Sequence, residues 1–99
     1  MTKIEVWEHS LQNRKALLES KQNDLDALNN EMQIVDFEED MYYYLADRKH
    51  NYKDTFEQKR TEQEKASKQL EEKVNSLKEE IKILSIEIEY IESIISSSK

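Results

Sequence analysis

Apolar residues recur along this sequence at alternating spacings of three and four, and this repeat limits the fold more than any other feature. Such spacing marks the a and d positions of a heptad, the stripe by which one α-helix packs against another. The repeat keeps one phase, so that Ile4, Leu25, Val74 and Ile95 all fall at a positions. Its apolar members are Ile4, Trp7, Leu11, Leu18, Leu25, Leu28, Met32 and Val35 in the first half, and Leu70, Val74, Leu77, Ile81, Leu84, Ile88, Ile91 and Ile95 in the second.

The composition agrees with long helices, because the 99 residues include no Gly, Pro or Cys. Gly and Pro mark most tight turns, so their absence argues against barrels and sandwiches and removes Gly-rich phosphate loops. Without Cys there are no disulfides or thiolate sites. Charged residues make up 37% and apolar residues 36%, a balance typical of coiled coils. Thr2 and Glu5 form a capping box that predicts a helix start. We therefore predict an all-α fold.

The middle of the repeat decides between two architectures. Because its a and d residues close a seam poorly, we expect the chain to reverse near 48–53, which makes this polar centre an exposed tip. Helices at about 3–47 and 54–95 then pair as an antiparallel two-helix hairpin, a coiled coil forming a single domain, 1–99. Thr55 begins a second capping box for the returning helix. The weak a and d sites are Ala46, Lys49, Lys53, Phe56, Arg60, Gln63 and Ser67.

One unbroken helix that pairs with a second copy is the alternative, and the shared heptad phase favours it. A break at 36–40 also stays open, since no Gly marks any of these sites.

A second set of apolar residues lies outside the a and d positions. Its members occupy heptad positions c and f, on the outer face of each helix, at the spacing of a one-sided stripe. They are Ile34, Phe37, Met41 and Tyr44 in the first helix, and Ile83, Ile86 and Tyr90 in the second. Single surface hydrophobics are normal, but contiguous apolar patches are seldom left in water. Three consecutive tyrosines at 42–44 form an aromatic cluster beside the first stripe. We predict that the two stripes, together with Tyr43 of this cluster, bind a partner.

The partner is expected to be another helical protein or a second copy of this chain. In a hairpin that turns near residue 50, the two stripes lie at different heights. A long helical partner would therefore complete a larger bundle of three or more helices.

Nothing in the sequence predicts catalysis. The two histidines, His9 and His50, each have one acid a helical turn away, and two ligands do not make a metal site. We expect no catalytic residue, cofactor, metal or small-molecule ligand. A basic segment at 48–68 with interleaved aromatic residues is compatible with nucleic acid, but its interspersed acids and the chain's net charge of −7 argue against that partner.

The sequence also predicts where the chain acts. No apolar run approaches the roughly 20 residues that span a bilayer, and no basic segment followed by an apolar stretch begins the chain. We expect an acidic cytoplasmic protein, or one secreted without a cleaved signal peptide.

The helical-hairpin pattern resembles small proteins of Gram-positive bacterial type VII secretion, namely the Trp-x-Gly family and the accessory partners of Leu-x-Gly toxins. Tyr43 and Asp47 resemble the Tyr-x-x-x-Asp/Glu export signal of that system, although no Trp-x-Gly turn is present. The resemblance implies a hairpin that pairs helix to helix with a secretion substrate, as a targeting factor or chaperone. A structural or adaptor coiled-coil homodimer, and a phage-encoded inhibitor that binds a host protein, are the alternative functions.

Overall fold

The computed structural model describes residues 1–98, which form two long α-helices joined by one short turn. Helix α1 spans Lys3–Arg48, a 3-10 segment covers His50–Tyr52, and helix α2 spans Lys53–Ser97. The predicted all-α helical hairpin is confirmed, and the alternative of one unbroken helix is wrong. Helix α1 also continues without interruption through 36–40.

The first helix begins where its capping residue predicts. Thr2 Oγ1 accepts a hydrogen bond from the backbone N–H of Glu5 at 3.3 Å, which satisfies one of the donors that a helix N-terminus leaves free. The second capping prediction is wrong, because α2 already begins at Lys53 and Thr55 lies inside its first turn. The 3-10 segment that precedes α2 holds the backbone there, so no side-chain cap at Thr55 is needed.

The chain reverses without glycine because one residue leaves the helical conformation at negative φ. Lys49 has φ −108° and ψ 76°, which a residue with a Cβ adopts without the strain of the left-handed region. Its N–H donates to the carbonyl of Leu45 at 2.8 Å, and its own carbonyl accepts from the N–H of Tyr52 at 2.9 Å. Backbone hydrogen bonds therefore close the turn that Gly or Pro would otherwise make.

The described residues divide into two compact units, each with a segment of α1 packed against a segment of α2. We call residues 1–25 and 76–98 the terminal unit, and residues 26–75 the turn unit.

The terminal unit is held by an apolar seam. Its most buried side chains all come from a and d positions of α2, and they are Leu84, Ile88, Ile91 and Ile95. The facing a and d residues of α1, among them Trp7, Leu11 and Leu18, are half-buried. The heptad assignment therefore identifies the packed face of both helices in this unit.

Ion pairs across the seam of the terminal unit show its direction. Lys21 Nζ lies 3.0 Å from Glu80 Oε2, and Arg14 Nη2 lies 3.5 Å from Glu87 Oε2. Seven residues toward the C-terminus of α1, from Arg14 to Lys21, thus correspond to seven residues toward the N-terminus of α2, from Glu87 to Glu80. This is the register of an antiparallel coiled coil. Arg14 and Lys21, which interrupt the apolar repeat, thus form ion pairs with the other helix.

The seam of the turn unit is apolar at Leu70 and Val74, which are buried together with Ala46, and polar nearer the turn. Most of the weak heptad sites there are closed more fully than expected. Phe56, Arg60, Gln63 and Ser67 are half-buried, and only Lys49 and Lys53 of the weak set are exposed. The expectation that the whole polar centre forms an exposed tip is therefore wrong.

Two contacts between the helices close that polar seam. The rings of Tyr42 and Phe56 stack with centroids 6.1 Å apart, and Ser67 Oγ donates to Asp36 Oδ1 at 3.0 Å. An aromatic pair and a side-chain hydrogen bond thus replace the leucine and isoleucine contacts of the terminal unit.

Candidate partner-binding faces

Two helices cover each other only in part. Among residues 1–98, no large side chain is fully buried. Every a and d residue of α1 is half-buried, apart from the small Ala46, which is buried. In a two-helix pair, each helix covers the seam residues of the other from one direction only. Both flanks of the seam therefore stay in contact with water. Additional helices would remove more apolar surface from water, the largest favourable term in association.

The stripe on α1 lies on the side of the helix opposite the seam. Phe37 is 68% exposed, and Ile34 and Tyr44 are each more than half exposed. Met41, the fourth member of the predicted set, is half-buried. Spacings of three and four place all four side chains on one helix face, so the turn unit carries a continuous apolar surface there.

The stripe on α2 belongs to the terminal unit. Ile83, Ile86 and Tyr90 are each exposed by half or more. Tyr90 also meets Trp7 of α1 edge to face, with ring centroids 6.4 Å apart and an interplanar angle of 72°. This stripe is therefore shorter than the one on α1, and one of its three members already packs against the other helix.

Cations cover part of the tyrosine cluster near the turn. The Arg48 guanidinium carbon lies 3.8 Å from the ring centroid of Tyr44, and that of Arg60 lies 5.3 Å from the ring of Tyr43. Such contacts contribute about 0.5–1 kcal/mol each at exposed sites. Both rings remain more than half exposed, so the cations orient these tyrosines without removing them from solvent.

The two residues that resemble an export signal share one surface. Tyr43 and Asp47 lie one turn apart on α1, both exposed, and line a shallow depression of about 210 Å³ together with Arg60. The spacing of four residues presents a ring and a carboxylate side by side, an arrangement that another protein can contact directly.

Four exposed apolar residues were not singled out by the sequence: Met1, Val6, Leu17 and Tyr52. Val6 occupies a c position, but the next residues at that spacing, His9 and Asn13, are polar, so Val6 belongs to no apolar stripe. Leu17 is at a g position beside the seam. Tyr52 lies in the turn, where heptad positions do not apply. The role of Arg60 over Tyr43 was also missed, because the pairing depends on the register between the helices.

Within residues 1–98, the structure brings together no group of three or more His, Cys, Asp or Glu side chains that could hold a metal ion. His9 belongs to the terminal unit and His50 to the turn unit. None of the helices described is long and apolar enough to cross a membrane.

Comparison of the chain with protein-family models, with curated proteins and with solved structures found no match. The resemblance to type VII secretion proteins therefore depends on the hairpin pattern and on Tyr43 and Asp47 alone.

Proposed function

We propose that this chain is a non-enzymatic protein–protein interaction module that binds another helical protein and completes a helical bundle with it. One observation carries the proposal: Phe37 and its neighbours form an exposed apolar stripe at helical spacing, on a helix whose opposite face is already used. Scattered surface hydrophobics would not share one face over four successive members. The half-covered seam supports the same conclusion.

The magnitudes favour a partner. Covering one large apolar side chain contributes about 1.5–3 kcal/mol of transfer free energy. Association costs about 4–15 kcal/mol in lost translational and rotational freedom, so several such side chains are needed before binding becomes measurable. The stripe on α1 has four members, including Ile34 and Phe37, so covering all of them contributes about 6–12 kcal/mol. The apolar gain and the cost of association are therefore of similar size, so binding requires a partner that covers most of the stripe.

The experiment replaces one exposed apolar residue in each stripe. Phe37→Ser with Ile86→Ser is compared with a matched control, Leu17→Ser with Tyr52→Ser, which makes the same kind of change outside the stripes. Proteins captured from the native cell are identified by mass spectrometry and their affinity is then measured. We expect the stripe variant to weaken binding at least tenfold and the control variant to bind normally, with the helix content of both unchanged in circular dichroism.

Light scattering on the isolated chain separates a hetero-complex from a homodimer. A hetero-partner requires that the molar mass be the same with and without the stripe changes. A fall in mass in the Phe37 and Ile86 variant would show that a second copy fills the stripes. Normal partner capture by a folded variant of unchanged mass would contradict the proposal altogether.

The narrower proposal is that the module is a targeting or chaperone partner of a type VII secretion substrate. Its support is the resemblance, together with the exposure of Tyr43 and Asp47 on adjacent turns. Export of the native partner should be lost with Asp47→Ala and kept with Asp54→Ala, a matched change of an exposed acid in the turn unit. If both variants export the partner equally well, the proposal of an interaction module stands and the proposed role in secretion is contradicted.

A further inference from the structure

The charges on α1 are distributed unevenly. Between Lys21 and Arg48, residues 22–47 contain no Lys or Arg. The segment carries eight acids, which are Asp24, Asp26, Glu31, Asp36, Glu38, Glu39, Asp40 and Asp47. Within residues 1–98, the four ion pairs all involve acids outside this segment. Neither helix supplies a cation close enough to form an ion pair with these carboxylates.

Uncompensated acids at this density oppose each other. Carboxylates three or four residues apart on one helix, such as Asp36 and Asp40, are neighbours, and like charges at that spacing destabilise the helix. A negative field of this kind attracts a positively charged partner and raises its rate of association. The segment is therefore suited to meet cations from another molecule.

Helix geometry places some of these acids beside the apolar stripe. At 3.6 residues per turn, Asp40 borders the Ile34 to Tyr44 face on one side, and Glu31 and Glu38 border it on the other. Asp40 and Glu31 are exposed and Glu38 is half-buried. The outer face of α1 thus has an apolar centre with negative edges.

We infer that the outer face of α1 in the turn unit binds an amphipathic helix of a different protein, whose apolar stripe is flanked by Lys and Arg. The inference rests on the proposed function and names the class of partner. Apolar side chains of that helix would cover Phe37 and its neighbours, and its cations would meet Glu31, Glu38 and Asp40. This is the helix-on-helix mode of recognition, with anchors at intervals of three and four residues.

Charge argues against a second copy as the occupant. A two-fold dimer places the same patch of both chains together, so the acids beside the α1 stripe would face identical acids. Pairing with the other stripe offers these acids a single bordering cation, Lys82, next to Glu89. On the other edge of that stripe, Glu80 and Glu87 already pair with Lys21 and Arg14. Like charges set against each other across an interface cost several kcal/mol. Nucleic acid and anionic membrane surfaces are disfavoured by the same negative edges.

The test uses two synthetic peptides as probes. One is an amphipathic helix built from Leu and Lys in heptads, and the other has Glu at every Lys position. Affinity for the full chain is measured by fluorescence anisotropy. We expect the Lys peptide to bind at least tenfold more tightly than the Glu peptide. We also expect the difference to shrink as the ionic strength rises from about 0.1 M to about 1 M, where the Debye length falls from about 10 Å to about 3 Å.

A matched pair of variants separates this face from general attraction to an acidic protein. The face variant carries Glu31→Gln, Glu38→Gln and Asp40→Asn. The control variant removes the same number of charges at exposed acids of α2 with Glu62→Gln, Glu71→Gln and Glu72→Gln. The face variant should lose at least tenfold in affinity for the Lys peptide, and the control variant less than threefold. Phe37→Ser alone should lower the affinity for the Lys peptide at least fivefold. Equal losses in the two triple variants, or equal binding of the two peptides, would overturn the inference.

Failure of this inference differs from failure of the proposed function. If the peptides show no preference while the Phe37 and Ile86 variant still loses its native partner, the interaction module stands and its partner is not a basic helix. If that variant keeps its native partner, the proposed function fails, and this inference fails with it whatever the peptides do.

Discussion

In the terminal unit, the seam of α2 is filled by Leu84, Ile88 and neighbouring isoleucines, whereas in the turn unit the same heptad positions hold Arg60, Gln63 and Ser67. Cross-helix ion pairs support the terminal unit. An aromatic stack, cation–π contacts and a side-chain hydrogen bond support the turn unit.

One heptad phase thus runs through both units and is filled by different kinds of residue in each. Apolar a and d residues contribute burial, which is the main source of stability, while polar residues at such positions specify register at a cost in stability. The turn unit also carries the acidic outer face of α1 and the longer apolar stripe. We therefore expect the terminal unit to supply most of the stability of the hairpin, and the turn unit, where the longer exposed stripe lies, to supply less.

The largest expected effect comes from placing the same residue at a d position of each unit. Leu84→Asp puts a carboxylate where the native side chain is only 6% exposed. An uncompensated buried charge costs several kcal/mol, close to the whole stability of a small domain. Gln63→Asp changes a position that is already polar and half-buried. The free energy of unfolding should therefore fall by less than about 1 kcal/mol, since surface substitutions typically change it by about 0.5 kcal/mol.

Urea unfolding followed by circular dichroism measures both changes, with Glu79→Ala on the exposed face as the silent control. We expect Leu84→Asp to abolish the unfolding transition and the other two variants to keep it. Equal destabilisation by the Leu84 and Gln63 changes would mean that the seams of the two units contribute alike to stability.

A smaller and opposite effect is expected at Arg60. Its Nε is buried, and no atom in residues 1–98 accepts a hydrogen bond from it, although the guanidinium lies over the ring of Tyr43. An unsatisfied buried polar atom costs about 1–3 kcal/mol, and the lost cation–π contact offsets part of the gain from removing it. Arg60→Leu should therefore raise the free energy of unfolding by about 1 kcal/mol. A decrease in chemical-denaturation midpoint would show that the arginine stabilises the seam.

The smallest effect concerns an ion pair of the terminal unit. Lys21 and Glu80 meet at 3.0 Å with side chains that are 25% and 50% exposed. Exposed pairs of this kind typically contribute about 0.2–1 kcal/mol. A double-mutant cycle with Lys21→Met and Glu80→Gln should give a coupling energy in that range, decreasing with salt. A coupling above about 2 kcal/mol would mean that charge, and not apolar burial, holds the terminal unit together.

The heptad pattern identified the packed face correctly because burial of an amphipathic helix depends on residue spacing alone. Helix α1 ends at Arg48, within one residue of the predicted position, and α2 runs from Lys53 to Ser97. The exposure of Phe37 and Ile86 follows from the same spacing, since a residue at f cannot reach the seam. Their binding of a partner stays a prediction, because a single chain contains no information about the molecule that covers its surface.

Periodicity and the absence of Gly and Pro act through local geometry, so the sequence alone predicts the helical fold and the face of each helix that packs. The choice of a hairpin over one unbroken helix was left open by the sequence and comes from the three-dimensional structure, as does the half-burial of Arg60 and Ser67 in a closed seam. The turn at Lys49 with a negative φ is likewise a result of the folded structure. These outcomes depend on which residues of α1 stand opposite which residues of α2. That register is set by all the pairwise contacts together, such as Tyr42 on Phe56, and no spacing within one helix encodes it.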